Sequence, residues 1–213
     1  ASCESVMTDA VRLIVGLGNP GDQYVGTRHN AGADFVAAVA AAHGGTLRSD
    51  RKFNGLVGRV SIGGEDVRLL VPATFYNGSG NAAAPMLRFN RIPSQALLVV
   101  HDELDLELGV ARLKEGGGHG GNNGVRDIIR ALGGSADFGR LRLGVGHPGD
   151  KSRVTGFLLS RAPGSERRIL EDTIDEALRV LPELVAGLWE RAKTELHTRT
   201  RGPGRNGSGD ATT

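Results

Sequence analysis

Short apolar runs rich in Val, Leu and Ile alternate along this chain with stretches whose apolar residues return every three or four positions. The runs predict strands over 11–16, 55–62, 67–71, 97–101 and 140–146. The periodic stretches predict helices between them. "AGADFVAAVAAAHGG" (31–45) ends in Gly44 and Gly45, a C-terminal stop. "NAAAPMLRFNR" (81–91) can be entered at Asn81. Pro85 is tolerable there only near the first turn, because proline removes a backbone donor and crowds the preceding turn. "NNGVRDIIRALGG" (122–134) sets Val125, Ile128, Ile129 and Leu132 on one face. The longest periodic region, 165–197, keeps Leu170, Ile174, Ala177, Leu178 and Leu181 in step. Pro182 breaks it, and a second helix follows with Leu184, Leu188, Trp189 and Ala192 inside.

Strands alternating with helices predict an α/β fold: a single domain with a twisted, mixed, mostly parallel sheet flanked by helices. Its expected limits are residues 10–197. Residues 1–9 stay outside as a disordered or added start, with Met7 the natural initiator. The tail 198–213, "TRTRGPGRNGSGDATT", has almost nothing to bury and is expected to be disordered. In such sheets functional residues gather just beyond the carboxyl ends of strands.

Composition narrows the class. The chain has 213 residues, 39% hydrophobic and 23% charged, ordinary for a globular protein with a real core. No apolar run approaches the roughly 20 residues of a membrane helix, and the start lacks a basic region followed by an apolar stretch. A single cysteine, Cys3, allows no intrachain disulfide and no multi-cysteine metal site, so a reducing, cytoplasmic home is expected. The sequons at Asn77 and Asn206 then carry no glycan. Net charge is only +2, yet 22 of the 26 basic residues are Arg. Between Arg112 and Arg153 eight basic residues face four acidic ones. That excess suits a phosphate-bearing partner, and equally a solvated basic face.

"LIVGLGNPG" (13–21) carries the spacing G-x-G-x-x-G on Gly16, Gly18 and Gly21. In a dinucleotide site the helix opens within the glycines and an acidic residue follows about 20 positions on. Here Pro20 lies inside the motif, no helix can begin before about Asn30, and the acidic residue is missing. The glycines do not argue for a nicotinamide or flavin enzyme. No nucleoside-triphosphate loop, metal-binding histidine motif or serine elbow appears either.

Polar groups cluster instead behind predicted strands. Asn19 follows "LIVGLG", Asn77 follows "LLVPATFY", and Asp102 follows "LLVVH". His29 lies in the loop after the first strand, and Asn123 near the start of a helix. A neutral imidazole can take a proton from an attacking water. A carboxylate can orient that ring and favour the imidazolium that forms. Side-chain amides can hold an oxyanion and grip a peptide group without burying charge. Each residue also has a bland reading. Asp102 can cap the turn "DELD", the asparagines can be turn formers, and the glycine run 116–121 can be a slack loop.

At these residues the chain resembles bacterial peptidyl-tRNA hydrolase. The matching segments are "GLGNPGDQYVGTRHNAG" (16–32), "TFYNGSG" (74–80), "HDELDLELGVARLKEGGGHGGNNG" (101–124) and "FGRLRLGVGHPGD" (138–150). The resemblance implies hydrolysis of the ester between a peptide and the 3′-terminal ribose of tRNA. Such hydrolysis recycles tRNA from chains dropped in translation. It implies His29 as general base and Asp102 as its orienting acid. Asn19, Asn77 and Asn123 would position substrate, with Tyr24, Phe75 and Tyr76 also contacting it. Lys114 and Arg142 would grip the phosphate at the tRNA 5′ end. It implies a cytoplasmic monomer with no metal, no organic cofactor and no membrane partner. Two positions depart from the family pattern: Tyr76 stands where Met is usual, and Asn122 where His is usual. The rival reading is a non-catalytic RNA-binding relative of the same fold.

Overall fold

The computed structural model describes residues 9–200. The expectations for residues 1–8 and 201–213, including Cys3, Met7 and the Asn206 sequon, lie outside the described residues.

Seven strands form one sheet in the order β2-β3-β4-β1-β5-β7-β6. They are β1 (Leu13–Gly16), β2 (Arg48–Asp50), β3 (Gly55–Ile62), β4 (Glu65–Pro72), β5 (Leu97–Glu103), β6 (Ala111–Glu115) and β7 (Gly139–Gly144). The four central strands, β4, β1, β5 and β7, run parallel. Antiparallel pairing is confined to the edges, through β2–β3–β4 on one side and β6–β7 on the other. The central strands are continuous apolar runs because both faces are covered. Leu13, Ile14 and Val15, like Leu97 through Val100, are fully buried.

Helices α1 (Ala31–Ala42) and α5 (Gly164–Arg179) pack on one face, where Phe35, Val36, Leu98 and Ile174 share a core. Helices α6 (Leu181–Val185) and α7 (Trp189–Arg199) add Leu184, Trp189 and Leu196 to it. On the other face α2 (Gly80–Asn90) and α3 (Asn123–Ala131) cover Leu13, Val15, Leu97 and Val99. A short helix, α4 (Val154–Leu158), lies at the carboxyl ends of the strands.

The expected α/β sheet and its flanking helices are present, with local corrections. Strands β2 and β6 were not expected. The long helical region has three pieces rather than two: the chain turns at Val180 and again over Ala186–Leu188. Gly187 there has φ 77°, and Leu188 is exposed rather than inside. Pro85 sits in the interior of α2, not its first turn. The carbonyl of Asn81, four residues back, instead accepts from Asn54 Nδ2 at 3.4 Å. Helix α7 runs through Arg199, and Thr200 is buried with its Oγ1 accepting from Ala111 N, so the fold continues three residues past 197. That contact and Leu113 N donating to His197 Nε2 cover outward N–H groups of the edge strand β6.

Gly16, the first of the opening glycines, serves packing together with Gly32. A Cβ on Gly16 would lie 2.1 Å from the carbonyl oxygen of Gly32, and one on Gly32 2.2 Å from that of Val100. Their absence lets α1 press its first turn onto the ends of β1 and β5.

Candidate active site

That close approach sets the position of His29. The segment 21–30 leaves β1, makes two short 3-10 turns and delivers His29 immediately before α1. Asn30 fixes its shape. Its side-chain oxygen accepts from Asn19 N at 2.8 Å and its Nδ2 donates to Asn19 O at 3.0 Å. Arg28 anchors the other side. Its buried guanidinium donates to Phe157 O, Ser160 Oγ and Glu166 Oε2, and lies 4.1 Å over the Phe157 ring. One residue on each side of His29 is therefore locked, one to the β1 loop and the other to the α4 region.

Asp102 does not follow β5 as expected; it is within the strand, which runs to Glu103. It is 4% exposed, so the turn-cap reading fails. His29 Nδ1 donates to Asp102 Oδ1 at 3.0 Å. His29 Nε2 is left without a protein hydrogen bond among the described residues. Tyr76 O–H donates to the same Asp102 oxygen at 2.7 Å. The Tyr76 and His29 rings stack with centroids 3.6 Å apart and planes 13° from parallel.

A cleft of about 390 Å³ opens over this pair. Asn19, His29, Asp102 and Asn123 line it, with Glu103, His147 and the α4 residues Val154, Thr155 and Leu158 among the walls. Asn19 Oδ1 accepts from Tyr76 N at 2.9 Å, so its Nδ2 is the end available as a donor. Asn123 is exposed at the first turn of α3. The structure thus brings four of the expected residues to one hollow. Asn77 stands exposed on the turn Tyr76–Gly78, beside the cleft rather than in its wall. Tyr24 and Phe75 meet edge to face at 6.4 Å, with Phe75 60% exposed. Tyr76 is buried and turned inward, supporting the pair from behind.

His101, the neighbour of Asp102, plays a different part. It is fully buried and donates from Nδ1 to the backbone oxygen of Asp102 at 2.7 Å. Burial, with Arg140 and Arg142 nearby, lowers its pKa to about 4, so at neutral pH it is an uncharged core group. Burial also raises the Glu103 carboxyl, against the pull of Arg142.

Lys114 and Arg142 lie on the β6–β7 edge, outside the cleft lining. The register sets Arg112 opposite Arg142 and Lys114 opposite Arg140, so four cations share one face. Arg140 is turned inward: its two Nη groups donate to the carbonyls of Gly116, Gly117 and Gly118, while its buried Nε has no hydrogen-bond partner among the described residues. The glycine run is therefore not slack at its start; it is wrapped on an arginine. Partial burial, then Arg140 and Arg142, lower the Lys114 pKa.

Residue reading missed Asn30, Arg28 and Arg140. Their type and spacing carried no signal, since each acts on backbone far away in sequence. Among the described residues no cluster of three or more His, Cys, Asp or Glu is placed to hold a metal, and no helix is long and apolar enough to cross a membrane.

A parallel-centred α/β sheet with a histidine–carboxylate pair in an amide-lined cleft at its carboxyl end is the make-up of a class, the hydrolases. Comparison makes this specific. A sequence model described as peptidyl-tRNA hydrolase matches residues 13–203. A peptidyl-tRNA hydrolase of Azotobacter vinelandii is 59% identical over 190 residues, covering 89% of this chain and 98% of that protein. One from Pseudomonas paraeruginosa is 58% identical over the same coverage. The crystal structure of peptidyl-tRNA hydrolase from Acinetobacter baumannii superposes with a TM-score of 0.86 at 48% identity, covering 89% of this chain and 96% of that one. The chain belongs to the peptidyl-tRNA hydrolase family.

Proposed function

We propose that this protein hydrolyses the ester joining a peptide to the 3′-terminal ribose of tRNA, with His29 as general base. The observation that carries the reading is the 3.0 Å contact of His29 Nδ1 with Asp102 Oδ1 at the floor of the amide-lined cleft. Asp102 holds the proton on Nδ1, so Nε2 presents a lone pair. A water in the cleft gives its proton to Nε2 while its oxygen attacks the ester carbonyl carbon. The negative charge passes to the carbonyl oxygen, where an amide donor such as Asn19 Nδ2 holds it; one such donor lowers the barrier by about 3–4 kcal/mol. The tetrahedral intermediate then expels the ribose 3′-oxygen, which takes the proton back from the imidazolium. The peptide is released as its carboxylic acid, which loses its proton to solvent, and the tRNA leaves with a free 3′-hydroxyl. Asn77 and Asn123 serve the peptide group, and Tyr24 and Phe75 its flanking surface. Lys114 and Arg142 meet the terminal phosphate of the tRNA. Such a protein works in the cytoplasm, where translation releases its substrate.

Turnover of N-acetylaminoacyl-tRNA tests this. His29→Ala should retain the wild-type circular dichroism spectrum and lose about 10³-fold or more in kcat, the scale of a lost general base with its positioning. Wild-type turnover in that variant, or no turnover in the unmodified protein, overturns the reading. The second outcome would favour a non-catalytic RNA-binding protein.

A further inference from the structure

Asp102 Oδ1 receives two donors, and only one of them is His29. The other is the Tyr76 hydroxyl at 2.7 Å. The same tyrosine supports the histidine, with its ring stacked 3.6 Å from the imidazole. Its hydroxyl oxygen is in turn addressed by Asn122 Nδ2 at 3.2 Å. Asn122 cannot turn over, because its Oδ1 is the N-cap of α3 and accepts from Val125 N at 3.0 Å. The first turn of α3 also closes on the ring: a Cβ at Gly124 would lie 2.8 Å from two Tyr76 ring carbons. A hydrogen-bonded series thus runs from the α3 N-terminus through Asn122 and Tyr76 to Asp102 and His29.

An aspartate carboxylate rotates broadly about its last torsion. One donor leaves the angle of Oδ1 to Nδ1 free to drift; a second donor on the same oxygen removes that freedom. We propose that Tyr76 is a positioning residue for the His29–Asp102 pair, holding the carboxylate by its hydroxyl and the imidazole by its ring, with Asn122 fixing the hydroxyl. Burial first and the Asp102 charge second raise the phenol pKa well above its usual value, which keeps Tyr76 a proton donor throughout the working pH range. The proposal rests on the hydrolase reading above and adds two residues that act through others.

The test is steady-state kinetics on N-acetylaminoacyl-tRNA. Tyr76→Phe keeps the ring and removes the hydroxyl. Its kcat should fall about tenfold with KM changed less than about twofold, the size of one hydrogen bond to a charged group felt only in the reacting geometry. In an Asp102→Ala background the same substitution should cost nothing further, because the hydroxyl then has no carboxylate to hold. Asn122→Ser keeps a cap oxygen but drops the amide donor. It should lower kcat about threefold, and only while Tyr76 is present. A merely structural hydroxyl would show equal losses with and without Asp102, and that result overturns the proposal. So does an unchanged kcat in Tyr76→Phe. An inactive wild-type protein would sink the hydrolase reading and this proposal together, whereas an active wild type with an unaffected Tyr76→Phe sinks this one alone.

Discussion

Asn30 shows how much one side chain can hold. It satisfies both the N–H and the C=O of Asn19, and it is 8% exposed. Asn30→Ala would leave two poorly solvated backbone groups without partners, a loss of about 1–3 kcal/mol, measurable by urea unfolding. Activity should fall as well, since the Asn19 amide would lose its fixed direction. An unchanged midpoint and an unchanged kcat would contradict this account of the loop. Residue identity alone announced His29, Asp102 and the asparagines, because their types suit ester chemistry and their segments resemble a family. It could not announce Asn30 or the hydroxyl of Tyr76. Those act through partners 11 and 26 positions away in sequence, and such distances become contacts only on folding.

At the scale of elements, the β6–β7 edge carries a conflict between stability and binding. Arg112, Lys114, Arg140 and Arg142 lie on one face through the register of two antiparallel strands. Like charges directly opposite each other are unfavourable; partial burial first, and then Arg140 and Arg142, lower the Lys114 pKa. A lysine whose folded pKa is depressed disfavours folding while it is protonated, and so at neutral pH. Lys114→Gln should therefore leave the melting temperature equal or higher, yet weaken a tRNA substrate and reduce the slope of log affinity against log salt by about 0.7–0.9. A minimal nucleotide ester should be nearly unaffected. A lower melting temperature, or equal loss on both substrates, would show that the edge is not a phosphate grip. Neither edge strand was expected from sequence. β2 has three residues, and β6 alternates Ala111 and Leu113 with charges over only five. Runs that short give no period to read. Pro85 was misplaced for a related reason: the carbonyl it frees is covered from another element, by Asn54.

For the whole molecule, acid stability depends on a buried group outside the reaction. His101 is enclosed by β5, Asn122 and the Arg140–Arg142 face of β7, with its pKa lowered to about 4. The unfolded chain takes up that proton near the ordinary value of about 6.5. Below that value the unfolded state gains protons first, so stability falls as pH drops from about 6.5 to about 4 and is level beneath. Between about pH 7.5 and about pH 5 the His101 share of this loss should be about 2 kcal/mol. Asp34, whose burial raises its carboxyl to about 6, opposes it by favouring the folded state as pH falls, so the share is read by urea melts as the difference between the wild type and a His101 variant. His101→Asn should flatten that window, whatever it does to the absolute midpoint; an equally steep dependence would refute the assignment. The adjacent Asp102 points the other way, to His29 and Tyr76, because alternation along a strand sends neighbours to opposite faces. Sequence by itself determined the α/β class, the central parallel strands and the chemical types available, since period and composition are local properties. Only the tertiary structure decided which carboxylate oxygen meets which nitrogen, which arginine is spent on the glycine loop, and which tyrosine stands behind the histidine. Those are relations between segments far apart in the chain, and hydrogen bonds form only across the few ångströms that packing leaves between them.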